Sequence, residues 1–220
     1  MKDDLSAQLT PDMMLQAYAA GIFPMAEGRD DPRLFWVDPR HRGVVPLNGF
    51  HISRSLARRL RRDDYRVTLN HGFDDVVRAC AARPETWIND PLRRLYSALH
   101  DMGHAHSIEV HGPDGLIGGV FGLTIGGAFF GESMFSAARD GSKIALAYLT
   151  DHLRACGFSL FDTQFITPHL ASLGAVEIPR ADYRRRLSRA INRTARFGAA
   201  ALPATGYGLL QRNTQTSYRG

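Results

Sequence analysis

Residues 118–169 read GGVFGLTIGGAFFGESMFS, then AARDGSKIALAYLTDHLRACG, then FSLFDTQFITPH. The first piece is apolar and punctuated by glycine, which predicts a strand pair with close backbone approaches. In the second, Ile144, Tyr148, Leu149, Leu153 and Cys156 recur at helical spacing between a Ser142 cap and Gly157, so a helix with one core-facing stripe follows. The third is a strand in which Asp162 and Gln164, two apart, project to one face. Strand, helix and strand therefore end on Glu132, Asp162 and Gln164, three polar groups in otherwise apolar surroundings. These three are the expected chemical centre.

Working upstream, Ser107, Glu109 and His111 alternate with Ile108 and Val110, a half-buried strand, and the GPDG turn at 112–115 folds it into a second strand, 116–121. Another strand is expected over 124–132. His100, His104, His106, Glu109 and His111 crowd twelve positions, but Gly103 interrupts them and no H-E-x-x-H or cysteine cluster follows, so no metal site is expected. Gly141, Ser142 and Lys143 carry the residues of a phosphate loop in the wrong order. Residues 53–67, SRSLARRLRRDDYRV, form a helix whose narrow stripe is Leu56 and Leu60. Arg54, Arg58, Arg59, Arg61 and Arg62 cover the rest, a solvated face or a phosphate-contact surface. Before it, residues 9–20 start on Thr10 and Pro11 and stop at Gly21, a punctuated short helix. A Pro-, Gly- and aromatic-rich stretch then reads as a small irregular subdomain with short strands near 34–37 and 43–46. Trp36 belongs there, as core or as a stacking face.

The net charge is +5, and of the cationic residues only Lys2 and Lys143 are lysine. Arginine's fork suits phosphate, although a codon bias toward arginine would give the same count. Cys80 and Cys156 sit among apolar helical residues without metal spacing, the expectation for reduced thiols in a cytosolic protein. The acidic start of the chain has no apolar leader segment, and the longest apolar run, 116–131, is too glycine-broken and short for a membrane span. No oligomer is expected.

Taken in order, a meander, a helix, a strand beside it, and a short helix closing into a last strand make an α+β class. This element order resembles the Gcn5-related N-acetyltransferase fold. The expected division is a small subdomain over residues 1–49 and a catalytic domain over 50–220, with a basic tail from about residue 184.

A sharper resemblance rests on AYAAGIFPM, FWVDPR, FHISRSL, TWI, HDMGHAHSIEV, GGVFGLTIGGAFFGESMFS, SKIAL, DTQ and HLASLGAVEIPRADY, in that order between residues 9 and 183. Together these are similar to the leucyl/phenylalanyl-tRNA–protein transferases. The resemblance implies a cytoplasmic enzyme of the N-end rule pathway of protein degradation. Such enzymes move leucine or phenylalanine from aminoacyl-tRNA to the α-amine of proteins beginning with arginine or lysine. It implies Glu132, Asp162 and Gln164 as catalytic residues, and Ser136, which shares the E-S-M-F-S segment with Glu132, as a substrate-binding residue. It also implies Trp36 and Trp87 as faces for the terminal adenosine, and Phe129, Phe130 and Met134 as the side-chain pocket. Methionine's adaptability extends the expected donors to Met. An ester is already activated and an α-amine of pKa about 7.7 to 8.0 is partly neutral, so positioning should dominate and no cofactor is expected. A CoA-dependent acyltransferase of the same fold would want a Q/R-x-x-G-x-G/A turn before the long helix, where SAARDGSK stands. A non-catalytic RNA-binding module would leave the three polar groups unused.

Overall fold

The computed structural model describes residues 9–217, so the acidic start of the chain, read above as lacking a leader, lies outside it. Helix α1 (Pro11–Ala20) begins where Thr10 Oγ1 accepts the Met13 N–H at 3.2 Å and ends on a left-handed Gly21. Strands β1 (Phe23–Met25) and β2 (Phe35–Val37) form a separate antiparallel pair, and β3 (His41–Val44) follows. Next come α2 (Arg54–Arg62), β4 (Arg66–Leu69), α3 (Phe73–Ala81) and α4 (Asp90–Asp101). The meander is β5 (Ala105–Gly112), β6 (Gly115–Ile125) and β7 (Ala128–Ser136). Helix α5 (Gly141–Ala155), β8 (Leu160–Gln164), α6 (Pro168–Ser172), β9 (Val176–Pro179), α7 (Arg180–Ile191) and α8 (Gly206–Ser217) complete it.

Seven strands join in the order β4-β5-β6-β7-β8-β3-β9, antiparallel except for β7 against β8. The sheet is therefore mixed and the class α+β. Alternation sends Phe121, Leu123, Ala128 and Phe130 to one apolar layer with α1, α3, α4 and α7, and Val120, Phe129 and Phe161 to another with α2, α5 and α6. Both faces are covered, which is why these strands read as near-continuous apolar runs.

Three features refine the sequence reading. The strand expected over 124–132 is split by a turn at Gly126 and Gly127, with Gly126 at φ 54°. A Cβ on Gly126 would lie 2.2 Å from the Ile191 carbonyl oxygen, so the end of α7 packs on the turn and selects glycine there. Second, β3 falls inside residues 1–49 yet sits between β8 and β9, so a cut at residue 49 passes through the main sheet. Third, the basic stretch after residue 184 is helical: α7 buries Tyr183, Leu187 and Ala190 while its arginines face outward. Close approach also explains Gly118, where a Cβ would meet the Gly141 carbonyl carbon at 2.4 Å as α5 starts against β6.

Candidate active site

Strands β7 and β8 run together only from Ala128↔Leu160 to Phe130↔Asp162. Beyond that register β7 continues paired to β6 alone, while β8 ends against β3. The two strands part, and the gap is a cavity of about 220 Å³. Gly131, Glu132, Ser133 and Met134 line it from β7, and Thr163, Gln164 and Phe165 from the end of β8. Its apolar wall is Phe23, Met25, Trp87, Val120, Leu146, Phe161 and Leu170, with Arg83 and Thr167 adding polar groups.

Glu132 is 8% exposed, and three donors converge on it. The Tyr18 hydroxyl donates to Oε1 at 2.8 Å, the Gln164 amide to Oε1 at 3.2 Å, and the Tyr96 hydroxyl to Oε2 at 2.7 Å. Burial pushes the carboxyl up to about 7 against the two tyrosine bonds, which favour its charged form; Asp162 raises it further and Arg42 opposes. Burial first, then the Glu132 charge, holds Tyr18 and Tyr96 protonated well above the usual tyrosine range. Glu132 is thus poised near neutrality at the cavity wall, fixed on both oxygens.

Asp162 is fully buried and lies behind the cavity wall. Arg42 grips it with Nε to Oδ1 at 2.8 Å and Nη2 to Oδ2 at 2.7 Å, and the Tyr183 hydroxyl adds a bond at 2.9 Å. The guanidinium is sandwiched between the Phe23 and Tyr183 rings, 4.5 and 4.4 Å from their centroids, and donates to the Gly21 carbonyl at 3.0 Å. Asp162 Oδ1 also accepts the Gln164 N–H at 2.8 Å. That bond holds Gln164 at φ 57°, a left-handed conformation costing a non-glycine residue of order 1 kcal/mol or more, and aims its amide at Glu132. Asp162 therefore fixes the Gln164 backbone from behind the cavity wall. Its carboxylate, saturated by Arg42 and Tyr183, does not reach the cavity to meet a charge developing there.

Other expected positions divide. Trp87 and Met134 line the cavity. Trp36 does not: it is half-buried on β2 against the core, and Met25 on the facing strand β1 takes the wall position. Phe129 and Phe130 are also displaced, because they lie before the strands part, where alternation sends both into core. Phe129 packs edge-on to Phe161 at 5.4 Å and Phe130 to Tyr18 at 5.0 Å. Phe161 and Phe165 supply the aromatic wall instead. Ser136 faces the start of α5, where its Oγ donates to the Ala138 carbonyl at 2.8 Å and accepts the Ser142 N–H at 3.2 Å, the capping part expected of Ser142. Arg54, Arg58, Arg61 and Arg62 stand exposed on α2, while Arg59 pairs with Asp64 and lies 5.2 Å over Tyr65. Arg58, Arg59 and Arg62 share a shallow cleft with Arg139.

Two of the clustered histidines are used in packing: His100 stacks on Phe73 at 4.2 Å, and His106 on Phe197 at 4.3 Å, where burial lowers it to about 4. Burial pushes the Cys80 thiol up to about 12, which leaves it protonated and unreactive. Sequence reasoning missed Tyr18, Tyr96, Arg42, Tyr183 and Arg83. Arg42, in the run RGVVPL at 42–47, carried a signal, since an arginine inside an apolar strand needs a buried carboxylate.

The sequence profile described as leucyl/phenylalanyl-tRNA protein transferase matches residues 44–188, and that of the family's N-terminal domain matches residues 7–40. A leucyl/phenylalanyl-tRNA–protein transferase of Cereibacter sphaeroides (strain ATCC 17025) is 62% identical over 209 residues, 95% of this chain and 98% of that protein. One of Ruegeria pomeroyi is 61% identical over 95% of this chain and 99% of its own length. Among solved structures, the crystal structure of FemX superposes with a TM-score of 0.51 at 12% identity, over 76% of this chain and 66% of that one, a likeness of fold. With the two profiles matching in order over residues 7–40 and 44–188, and relatives above 60% identical over nearly the whole chain, the chain belongs to the leucyl/phenylalanyl-tRNA–protein transferase family.

Proposed function

We propose that this chain transfers leucine, phenylalanine or methionine from the 3′ end of aminoacyl-tRNA to the α-amine of proteins beginning with arginine or lysine. It would do so as a cytoplasmic monomer serving N-end rule degradation, on a Gcn5-related N-acetyltransferase-like scaffold. The family supports the reaction class. The observation that carries the chemistry is the Glu132–Gln164 pair on the wall of an apolar cavity of about 220 Å³. That volume is below the roughly 300 Å³ at which drug-sized sites begin, and suits one amino-acid side chain with its ester. Among the described residues no helix is long and apolar enough to cross a membrane.

In the reaction the acceptor nitrogen attacks the ester carbonyl, the bond to the ribose oxygen breaks, and the amine's proton passes to that oxygen. The ester supplies the driving force, so the residues bind and orient, a contribution of roughly 7 to 11 kcal/mol when the geometry is near attack. Phe161, Phe165, Leu146, Leu170 and Met134 would hold the apolar side chain. Glu132 would hold an ammonium, the donor's own or the acceptor's, and a bound cation would return its carboxyl to the charged form. Gln164 would hydrogen-bond the attacking amine from a backbone locked by Asp162 and Arg42. An amide is a poor base, so its part is placement. Arg54, Arg58, Arg59, Arg61 and Arg62 would meet tRNA phosphates, and Trp87 would stack the terminal adenine.

The test is transfer of labelled Leu, Phe and Met from tRNA to peptides beginning with Arg, Lys or Asp, with acetyl-CoA as a competing donor. Transfer to Arg and Lys peptides, lowered at least tenfold by Gln164→Ala and Glu132→Gln, is expected. Acetylation without tRNA would overturn the reading.

A further inference from the structure

One cation on the cavity wall is unexplained by the reaction as drawn. Arg83 lies in the segment between α3 and α4, exposed at its outer face and lining the cavity. Its guanidinium donates Nε–H to the Cys80 carbonyl at 3.1 Å and an Nη2–H to Ser133 Oγ at 2.8 Å. Two of five N–H donors are thereby used, and among the described residues no carboxylate pairs with it. The two bonds fix the fork against β7, so its remaining donors are presented in a set direction.

The segment is itself anchored. Arg29 Nη2 donates to the Ala81 carbonyl at 2.8 Å and to the Arg83 carbonyl at 2.5 Å. At the far end Asn89 donates to the Asp31 carbonyl at 2.8 Å and caps α4 through the Leu92 N–H. Between these anchors the same segment carries Trp87, held edge-on to Tyr96 at 6.4 Å. One pinned loop thus offers a stacking face and, four residues earlier, an uncompensated cation.

We propose that Arg83 forms a phosphate subsite at the cavity mouth, taking the phosphodiester immediately 5′ of the aminoacylated nucleotide whose base lies on Trp87. The inference rests on the cavity being the aminoacyl-nucleotide site. Charge decides which substrate Arg83 serves. An acceptor beginning with arginine or lysine brings a cation, which Arg83 repels. The ester donor has no free carboxylate, so the anion nearest the reacting carbonyl is the backbone phosphate of the donor. A guanidinium with donors to spare binds it through charge-assisted, paired hydrogen bonds. The subsite differs from the α2 arginines in reach, because it reads the last phosphate of a donor of any length.

The experiment compares two minimal donors with an Arg-initial peptide: phenylalanyl-adenosine, which has no phosphate, and phenylalanyl-cytidylyl-adenosine, which has only the phosphate in question. The readout is the ratio of kcat/KM for the second donor to that for the first, in wild type, Arg83→Ala and Arg83→Lys. Arg83→Ala is expected to cut the ratio at least tenfold, mostly through KM of the dinucleotide, and Arg83→Lys to restore part of it as a point charge without the fork. A structural role for Arg83 would lower both donors together and keep the ratio, and that result overturns the subsite. A wild-type ratio near one also overturns it. If wild type transfers from neither minimal donor nor from Phe-tRNA, the reading of the cavity falls, and the subsite with it. Transfer from Phe-tRNA alone, with both minimal donors silent, would place the needed phosphate contacts elsewhere and refute the subsite while sparing that reading.

Discussion

Replacing Glu132 by glutamine should change how stability depends on pH in one window and with one sign. In the unfolded chain the carboxyl ionises near its ordinary value of 4.5, while burial holds the folded one up at about 7. Below pH 4.5 both states carry the proton. Between 4.5 and 7 the unfolded state releases it and the folded state keeps it, so the stabilising contribution present at low pH is lost as pH rises through 7. At about 1.4 kcal/mol per pH unit the loss sums to roughly 3 kcal/mol. Glutamine keeps an oxygen for Tyr18 and Gln164, and its amide can donate to a turned Tyr96 hydroxyl, so the site is preserved without the titration. The assay is urea unfolding of both proteins at intervals from pH 4 to pH 8. Wild type alone is insufficient, because His106 and His152, lowered by burial to about 4, give the opposite slope as acid enters. They are common to both proteins and cancel in the difference. The stability of wild type minus that of Glu132→Gln should fall by roughly 3 kcal/mol between pH 4.5 and 7.5. A difference flat to within 1 kcal/mol would mean that the carboxyl stays charged when buried, and the poised-acid account of Glu132 would be refuted.

Three further outcomes are expected. Arg42→Met strands the Asp162 carboxylate in the core and should cost about 3–5 kcal/mol in urea unfolding, with partial recovery when Asp162→Asn is added. Changing Arg58, Arg61 and Arg62 together to Gln should flatten the dependence of log KM for aminoacyl-tRNA on log salt by about 0.7–0.9 for each phosphate left without its arginine; an unchanged slope would remove α2 from the tRNA surface. Trp87→Ala should raise KM for the donor by an amount equivalent to about 1–3 kcal/mol of stacking energy, whereas Trp36→Ala, off the cavity, should chiefly lower the unfolding midpoint. Equal effects of the two on KM would return Trp36 to the substrate.

What could be read beforehand was local. Thr10 with Pro11, Gly21, the stripe of α5 and the alternation along β5 are short-range patterns, and the elements they announce lie close to where they were expected. The Glu132, Asp162 and Gln164 set was legible because polar residues at the ends of apolar strands require partners. The pocket was not, because its walls depend on where β7 and β8 separate, and periodicity does not reveal that. Phe129 and Phe161 look alike as apolar residues on neighbouring strands, yet only Phe161 reaches the gap. Nor could spacing join Arg42 to Asp162, or Tyr18 to Glu132, across 120 and 114 residues. The outward arginines of α7 concealed a buried face of only Tyr183, Leu187 and Ala190.

The interior position of β3 imposes an order in time. Its hydrogen-bond partners are β8 and β9, and Arg42 is synthesised 120 residues before Asp162. At about 5–20 residues per second that is a delay of roughly 6 to 24 seconds, far longer than a local hairpin needs to form. During it the β4–β7 meander can assemble, while the strand destined for the sheet between β8 and β9 has nothing to pair with. The nascent chain must carry an unpaired strand and an unneutralised arginine until the gap beside Gln164 closes around them, so the last strands made complete both the sheet and the site.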